Sequence, residues 1–240
     1  MLISVCMATY NGGVYLKEQV DSILSQELEE GQQLELIVSD DNSTDNTIAL
    51  LESYRDDRIK IFRHKPHARY RHYNALMSAS KNFENAIAHA SGDAIFLSDQ
   101  DDVWYPQKIK TMLPHFNTGG GTLVICGFDW LGDDGQLHGT TAFTKPVRLS
   151  QLIKRSRYYG FSMAMDASLA KKIFPMPMLP QHDYYMTLVA TKHGKLKVIP
   201  DVLCAHRFYP QQTSNTGHSE SAFWKIVYRL KTLFYSLIVK

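Results

Sequence analysis

The sequence predicts an α/β fold, a Rossmann-like, mostly parallel central sheet flanked by helices. Three observations lead to it. Early in the chain, apolar runs of strand length alternate with amphipathic stretches of helix length, in the order strand, helix, strand, helix, strand. A further apolar run, Ala94-Ile95-Phe96-Leu97, ends at Ser98-Asp99-Gln100-Asp101-Asp102, and open α/β sheets bind ligands outside the carboxyl ends of their strands. The 240 residues, 44% hydrophobic and 21% charged, suffice for one substantial core with a subdomain.

Residues 2–7, LISVCM, form the first strand, and Ala8-Thr9-Tyr10-Asn11-Gly12-Gly13 turns out of the sheet. Leu16, Val20, Ile23 and Leu24 share one helix face. Leu34 to Val38 is the second strand, ending in Ser39-Asp40-Asp41-Asn42, and Ser43, Thr44 and Asp45 suit the first turn of a helix carrying Ile48, Leu51 and Tyr54. Ile59 to Phe62 is the third strand. The basic run at 63–73, RHKPHARYRHY, lacks apolar periodicity and reads as a loop, either solvated or facing phosphate or a membrane. Phe83, Ile87 and Ala90 line a helix that Ser91-Gly92-Asp93 ends before the fourth strand.

Beyond Pro106 the pattern changes. Lys108 to Phe116 reads as a short helix, 118–121 as a glycine break, Leu123 to Phe128 as a strand and Gly132-Asp133-Asp134-Gly135 as a turn. A basic helix at 148–157, a strand from Tyr159 to Met165 and a helix from Ser168 to Phe174 follow. After Pro175, Pro177 and Pro180, Gln181-His182-Asp183 opens a helix with Met186, Val189 and Ala190, closed at Gly194. Leu196 to Ile199 is the last clear strand. In the tail, Phe223, Ile226, Val227, Leu230, Leu233, Phe234, Leu237 and Ile238 make a broad apolar stripe, with Lys225, Arg229, Thr232, Ser236 and Lys240 on a narrower polar one. Such a helix lies in a membrane interface, or packs on the protein's own core or a second subunit.

A net charge of +2 is too nearly balanced to imply nucleic-acid binding. Cys6, Cys126 and Cys204 lie in or beside strands, which favours buried reduced thiols over disulfides or a zinc site. Met1-Leu2-Ile3-Ser4-Val5 enters a strand without the features of a signal peptide, and no stretch reaches the roughly 20 apolar residues that span a bilayer. A cytoplasmic protein is expected. The chain stops in apolar sequence, which leaves truncation open.

Three carboxylates in four positions at a strand end repel one another. Either a divalent cation relieves them, since Mg²⁺ and Mn²⁺ prefer oxygen ligands, or the run is a solvated turn with Asp102 capping a helix. The ends of three strands, Ala8 to Asn11, Asp40 to Asn42 and Asp99 to Asp102, converge on one edge. Neither GxGxxG nor GxxxxGK[ST] follows the first strand, so a nucleotide here would be held by its base, its ribose and a metal on its phosphates. Tyr10 can pack on a base, and a carboxylate can accept a hydrogen bond from a pyrimidine N3–H.

The segments ISVCMATYNG, SILSQ, ELIVSDDNSTDNT and KNFENAIAHASGDAIFLSDQDDVW, with weaker matches in YGFSMAMD and HDYYMTLVATKHGK, resemble a family-2 glycosyltransferase of the GT-A fold over most of residues 2–200. The resemblance implies a nucleotide-sugar-binding half at 1–105, a smaller acceptor-binding half of the same domain at 106–215 and a C-terminal amphipathic helix at 216–240. By the same resemblance Ala8 and Tyr10 line the base pocket, Asp41 reads the base beside its neighbour Asp40, and Lys81 approaches the ribose or phosphates. Asp99 sits nearer the ribose, and Asp101 ligates Mn²⁺ or Mg²⁺ on the diphosphate. His206-Arg207 places an imidazole on the metal or a guanidinium on the diphosphate. Gly160 to Met163 forms the acceptor floor and Trp104 the donor-sugar pocket, where ordinary core positions would serve equally well. Asp183 is the general base, with His182 orienting it or serving as base itself; a helix N-cap would also explain the position of Asp183.

That chemistry is coherent. An inverting transfer needs a base for the acceptor hydroxyl and a cation for the leaving diphosphate. The implied donor is UDP- or dTDP-linked. The implied acceptor is a saccharide, carried on a membrane lipid, in the synthesis of a bacterial surface polysaccharide such as capsule or lipopolysaccharide. Rhamnosyltransferase-like members are among those resembled. This would place the protein peripherally on the inner face of the cell membrane. Two other readings compete. A sugar-phosphate nucleotidyltransferase would need a glycine-rich basic loop where the chain has Ala8-Thr9-Tyr10-Asn11, and a non-catalytic nucleotide-binding module leaves Asp101 and Asp183 without purpose.

Overall fold

Strict alternation along the central strands builds two apolar layers, one on each face of the sheet. In β1 (Leu2–Thr9), Ile3, Val5 and Met7 join one layer and Cys6 the other. In β2 (Gln33–Asp40), Leu34, Leu36 and Val38 oppose Ile37, and in β4 (Ala94–Ser98), Ala94 and Phe96 oppose Ile95 and Leu97. The computed structural model describes residues 1–64, 75–116, 120–154, 156–179, 181–209 and 222–239. Residues 65–73 of the basic run, 118–119 of the glycine break and 210–215 lie outside them.

Helices α1 (Leu16–Leu24), α2 (Thr47–Ser53) and α3 (Ala75–Ala88) join β1, β2, β3 (Ile59–Arg63) and β4 into a parallel unit ordered β3-β2-β1-β4. The strand order reverses between β1 and β4, which opens a crevice at their carboxyl ends. The second half continues the same sheet as β8-β6-β9-β5. Strand β8 (Met163–Asp166) runs antiparallel to β4 and to β6 (Thr122–Gly132). Strand β9 (Lys195–Phe208) runs parallel to β6, and β5 (Val103–Trp104) pairs antiparallel with β9. Helices α4 (Lys108–Met112), α5 (Leu149–Lys154), α6 (Ala167–Ile173) and α7 (His182–His193) complete this half. The three cysteines are buried and free, as expected.

Several elements differ from the sequence expectation for local reasons. Gly160–Ser162 coils into a 3₁₀ turn, so only Met163–Asp166 is strand. Pro200 looks like a strand end, yet β9 runs through it where the register with β6 shifts between Ile125 and Gly127. Strand β7 (Leu137–Thr141) is exposed and carries no apolar alternation to announce it. The C-terminal helix α8 (Ala222–Leu237) packs through Leu233 and two residues of its polar stripe. Thr232 and Ser236 are buried, their hydroxyls donating to the Tyr228 and Leu233 carbonyls, while the His193 ring pairs with the Ser236 carbonyl at 2.8 Å.

One buried carboxylate clamps the end of the parallel unit opposite the crevice. Glu35, on β2, accepts from Ser4 Oγ at 2.6 Å, from Ser91 N and Oγ at 2.9 Å each, and from Lys60 Nζ at 2.7 Å. Burial alone would raise its pKa, but Lys60, Ser4 and Ser91 together hold it down at about 2, against 4.5 unperturbed. A depressed carboxylate stabilises the fold above its unfolded pKa and loses that contribution as pH falls toward the folded value. Glu35→Gln is therefore expected to lower unfolding free energy by about 2 kcal/mol at neutral pH. The deficit should close between pH 4.5 and about 2, as read by urea melts at several pH values.

Candidate active site

The crevice is built by turns at the ends of β1, β2 and β4, facing the first turn of α7 and the end of β9. At the end of β1, the Gln100 side chain pairs with the Tyr10 backbone on both sides. Tyr10 N donates to Oε1 at 2.8 Å, and Nε2 donates to the Tyr10 carbonyl at 3.1 Å. A Cβ at position 12 would collide with Gln100 Oε1, so glycine there permits this approach. The pairing leaves the Tyr10 ring exposed at 55% beside the partly buried Ala8. Asp41 stands half-buried nearby, with Oδ1 at 3.1 Å from His64 Nδ1 and Oδ2 accepting from Ser78 Oγ. Burial acts to raise its pKa, but these two partners hold it below the usual carboxylate range.

Two expected donor-site residues are turned elsewhere. Asp40 is fully buried, and its carboxylate accepts from Thr9 Oγ1 at 2.9 Å and from Ser43 N and Oγ at 2.9 and 2.5 Å. It fastens the β2–α2 turn to β1. Lys81 directs Nζ to Glu84 at 2.5 Å and to the Met176 carbonyl at 2.7 Å, so it bridges α3 to the segment after α6. Trp104 is buried under the Lys108 ammonium, 4.0 Å from its ring centroid, and belongs to the core.

At the end of β4, Asp99, Asp102 and His206 bring one potential ligand atom each within 4.8 Å of one another. His206 and Arg207 come from β9, over a hundred residues away in the chain. His206 Nδ1 lies 2.7 Å from Asp102 Oδ1, which also accepts from Arg207 N at 3.1 Å. Asp102 is thus the partner of β9 rather than a helix cap. Its other oxygen, Oδ2, is buried and has no hydrogen-bond partner among the described residues. Asp101 stands outside the triplet because its Oδ2 accepts from Tyr209 OH at 2.7 Å. Arg207 donates to the Asp101 carbonyl at 3.0 Å and to Glu18 at 2.5 Å, its guanidinium over the Tyr15 ring, so it braces the turn. Burial, then the charges of Asp102 and Asp101, push Asp99 well above the carboxylate range, and Asp101 rises to about 6 through burial and Asp102. Two carboxylates and an imidazole, one carboxylate oxygen orphaned, form a donor set that fits Mn²⁺ or Mg²⁺.

Asp183 lies in the first turn of α7, and its charge is among the influences that raise the pKa of Asp99. Its Oδ1 accepts from Tyr184 N at 2.7 Å, and burial pushes its pKa up to about 6. His182 lies 3.4 Å from Ser80 Oγ through Nδ1 and packs on Phe83, and burial lowers its pKa to about 4. A Cβ at position 160 would meet His182 Nε2 at 2.6 Å, which ties the 3₁₀ turn to α7. Phe161 of that turn stacks on His206, with centroids 4.1 Å apart. Asp102, Gln100 and Tyr209 gain their roles from partners remote in the chain, and of these only Asp102 carries a sequence signal, its place in the acidic run.

Residues 4–174 match the family described as Glycosyl transferase family 2. The chain belongs to this family. It is 33% identical over 176 residues to the Campylobacter jejuni GalNAc(5)-diNAcBac-PP-undecaprenol beta-1,3-glucosyltransferase, covering 72% of this chain and 47% of that one. To Escherichia coli WfgD, a UDP-Glc:alpha-D-GlcNAc-diphosphoundecaprenol beta-1,3-glucosyltransferase, it is 23% identical over 198 residues, covering 82% and 73%. Among solved structures, S. aureus TarS in complex with UDP-GlcNAc aligns with a TM-score of 0.70 at 18% identity, covering 99% of this chain and 72% of that one. The likeness to TarS is one of fold, and the fold is GT-A. The family-2 chain is a glycosyltransferase, which removes the nucleotidyltransferase and binding-module readings.

The two crevice histidines make opposite titration predictions. Burial would lower the pKa of His206, but the charge and hydrogen bond of Asp102, with the charges of Asp99 and Asp101, raise it to about 9. In metal-free protein, imidazole NMR titration is expected to find His206 protonated at neutral pH and His182 neutral. Asp102→Asn should bring the His206 midpoint down by at least about one unit, since the dominant partner charge is gone.

Proposed function

We propose that this family-2 glycosyltransferase catalyses metal-dependent, inverting transfer of a sugar from a UDP- or dTDP-linked donor to a saccharide acceptor. The observation that carries the reading is the chain of contacts joining the first turn of α7, which holds Asp183, to the Asp99–Asp102–His206 triplet: His182 meets Gly160, and Phe161 of the same 3₁₀ turn stacks on His206. Asp183 takes the proton from the acceptor hydroxyl as that oxygen attacks the anomeric carbon from the face opposite the nucleotide. The bond to the diphosphate breaks, and the diphosphate leaves with the electron pair. Mn²⁺ or Mg²⁺, held by Asp99, Asp102 and His206, would supply positive charge to the leaving group. The Tyr10 ring stacks on the base while Asp41 accepts its N–H, kept ionised for that task by His64 and Ser78. His182, neutral and packed on Phe83, keeps the start of α7 in place beside the Gly160 turn.

The acceptor is proposed to be lipid-linked, and the protein to act at the inner face of a bacterial membrane in surface-polysaccharide synthesis. The undecaprenol diphosphate acceptors in the names of the two relatives support this. Among the described residues, no helix is long and apolar enough to cross a membrane, so contact would be peripheral.

Asp183→Asn is expected to lower kcat by roughly 10²–10⁴-fold while leaving donor affinity, measured by calorimetry, within about twofold. Full activity in that variant would remove the base assignment. Because Asp183 works deprotonated and burial raises its pKa to about 6, transfer should fall as pH drops through that value, about tenfold per unit. Chelation with EDTA should abolish transfer and added Mn²⁺ restore it. Asp102→Asn should raise the Mn²⁺ concentration needed by about tenfold or more, and Lys81→Met should leave it unchanged.

A further inference from the structure

Helix α8 carries an apolar surface that the described fold leaves uncovered. Of the fourteen large hydrophobic residues exposed in the described structure, six fall between 226 and 238, namely Ile226, Leu230, Phe234, Tyr235, Leu237 and Ile238. At 3.6 residues per turn, all but Tyr235 project from one face, a stripe roughly 18 Å long. The opposite face is committed, because Thr232 and Ser236 are buried and the His193 ring of α7 holds the Ser236 carbonyl. The stripe therefore cannot turn inward without breaking that contact. Contiguous apolar surface of this kind on a folded domain marks an interaction site.

Charge identifies the partner. Residues 222–239 contain Lys225, Arg229 and Lys231 and no acidic residue. Arg229 and Lys231 are exposed, and the helical repeat sets them on either side of the stripe. Beside its C-terminal end lies a cavity of about 350 Å³, lined by Phe174, Met176, Tyr185, Tyr235 and Ile238 among others, with Lys172 its only charged lining residue. A two-fold contact with a second copy would bring these cations against their own equivalents. Anionic lipid headgroups complement them, and acyl chains complement the stripe. We propose that α8 lies in the interface of a bilayer containing anionic lipid, with Ile226, Leu230, Phe234 and Leu237 below the headgroups and Arg229, Lys231 and Lys172 among them. This surface goes beyond the transfer reaction and stands independently of it. It would set α7, whose first turn holds Asp183, directly behind the membrane-facing helix.

The test is flotation of the full chain with vesicles of phosphatidylcholine alone and with about 30% phosphatidylglycerol added. Binding is expected to the mixed vesicles, weakening as salt rises. The Leu230→Ser/Phe234→Ser variant should lose at least about tenfold in vesicle affinity, and Arg229→Gln/Lys231→Gln should lose most of the dependence on phosphatidylglycerol. Unchanged thermal midpoints and nucleotide affinity would show that both variants fold. Wild-type protein that ignores the mixed vesicles, or binds both kinds alike, would overturn the proposal. So would a dimer, seen by light scattering, that Leu230→Ser/Phe234→Ser dissociates, because the stripe would then join two copies.

Discussion

Mutual repulsion among Asp99, Asp101 and Asp102 at the end of β4 is the constraint on which the crevice rests. Two of the three are met by partners brought from elsewhere. His206 and the Arg207 amide meet Asp102, Tyr209 meets Asp101, and the Arg207 guanidinium closes the turn against its own carbonyl. All of these come from the end of β9, which reaches the site only because β6 and β9 extend the sheet past β8. The second half of the sheet therefore reaches directly into the acidic turn. It supplies positive charge and hydrogen-bond donors that offset the repulsion within the acidic turn.

The balance is incomplete, and that is informative. Asp99 and Asp101 still hold their protons more tightly than free carboxylates, and Asp102 keeps one buried oxygen without a partner among the described residues. A cluster satisfied wholly by the protein would have no use for a cation. This one leaves two carboxylates and an imidazole with ligand atoms within 4.8 Å of one another, a donor set able to hold one.

The parallel half was legible in the sequence because its information is local. Period-two burial in β1, β2 and β4 and the acidic ends of strands are written in consecutive residues. The separation of Asp40 from Asp41 was not legible to the same degree. One residue decides which carboxylate closes the β2–α2 turn and which faces the crevice, and Thr9 and Ser43 make that choice. Lys81 sits at a helix position that could point either way, and Glu84 with the Met176 carbonyl draws it off. For α8 the wheel revealed a stripe, but which side met the protein depended on a histidine at the end of another helix.

The bidentate pairing of Gln100 with the Tyr10 backbone has a geometric consequence. It joins the turn after β1 to the turn after β4 as one rigid piece, across strands already locked in register. The spacing between the Tyr10 turn and the acidic turn is then set by main-chain register and the Gln100 amide, not by the rotamers of the side chains that line the crevice.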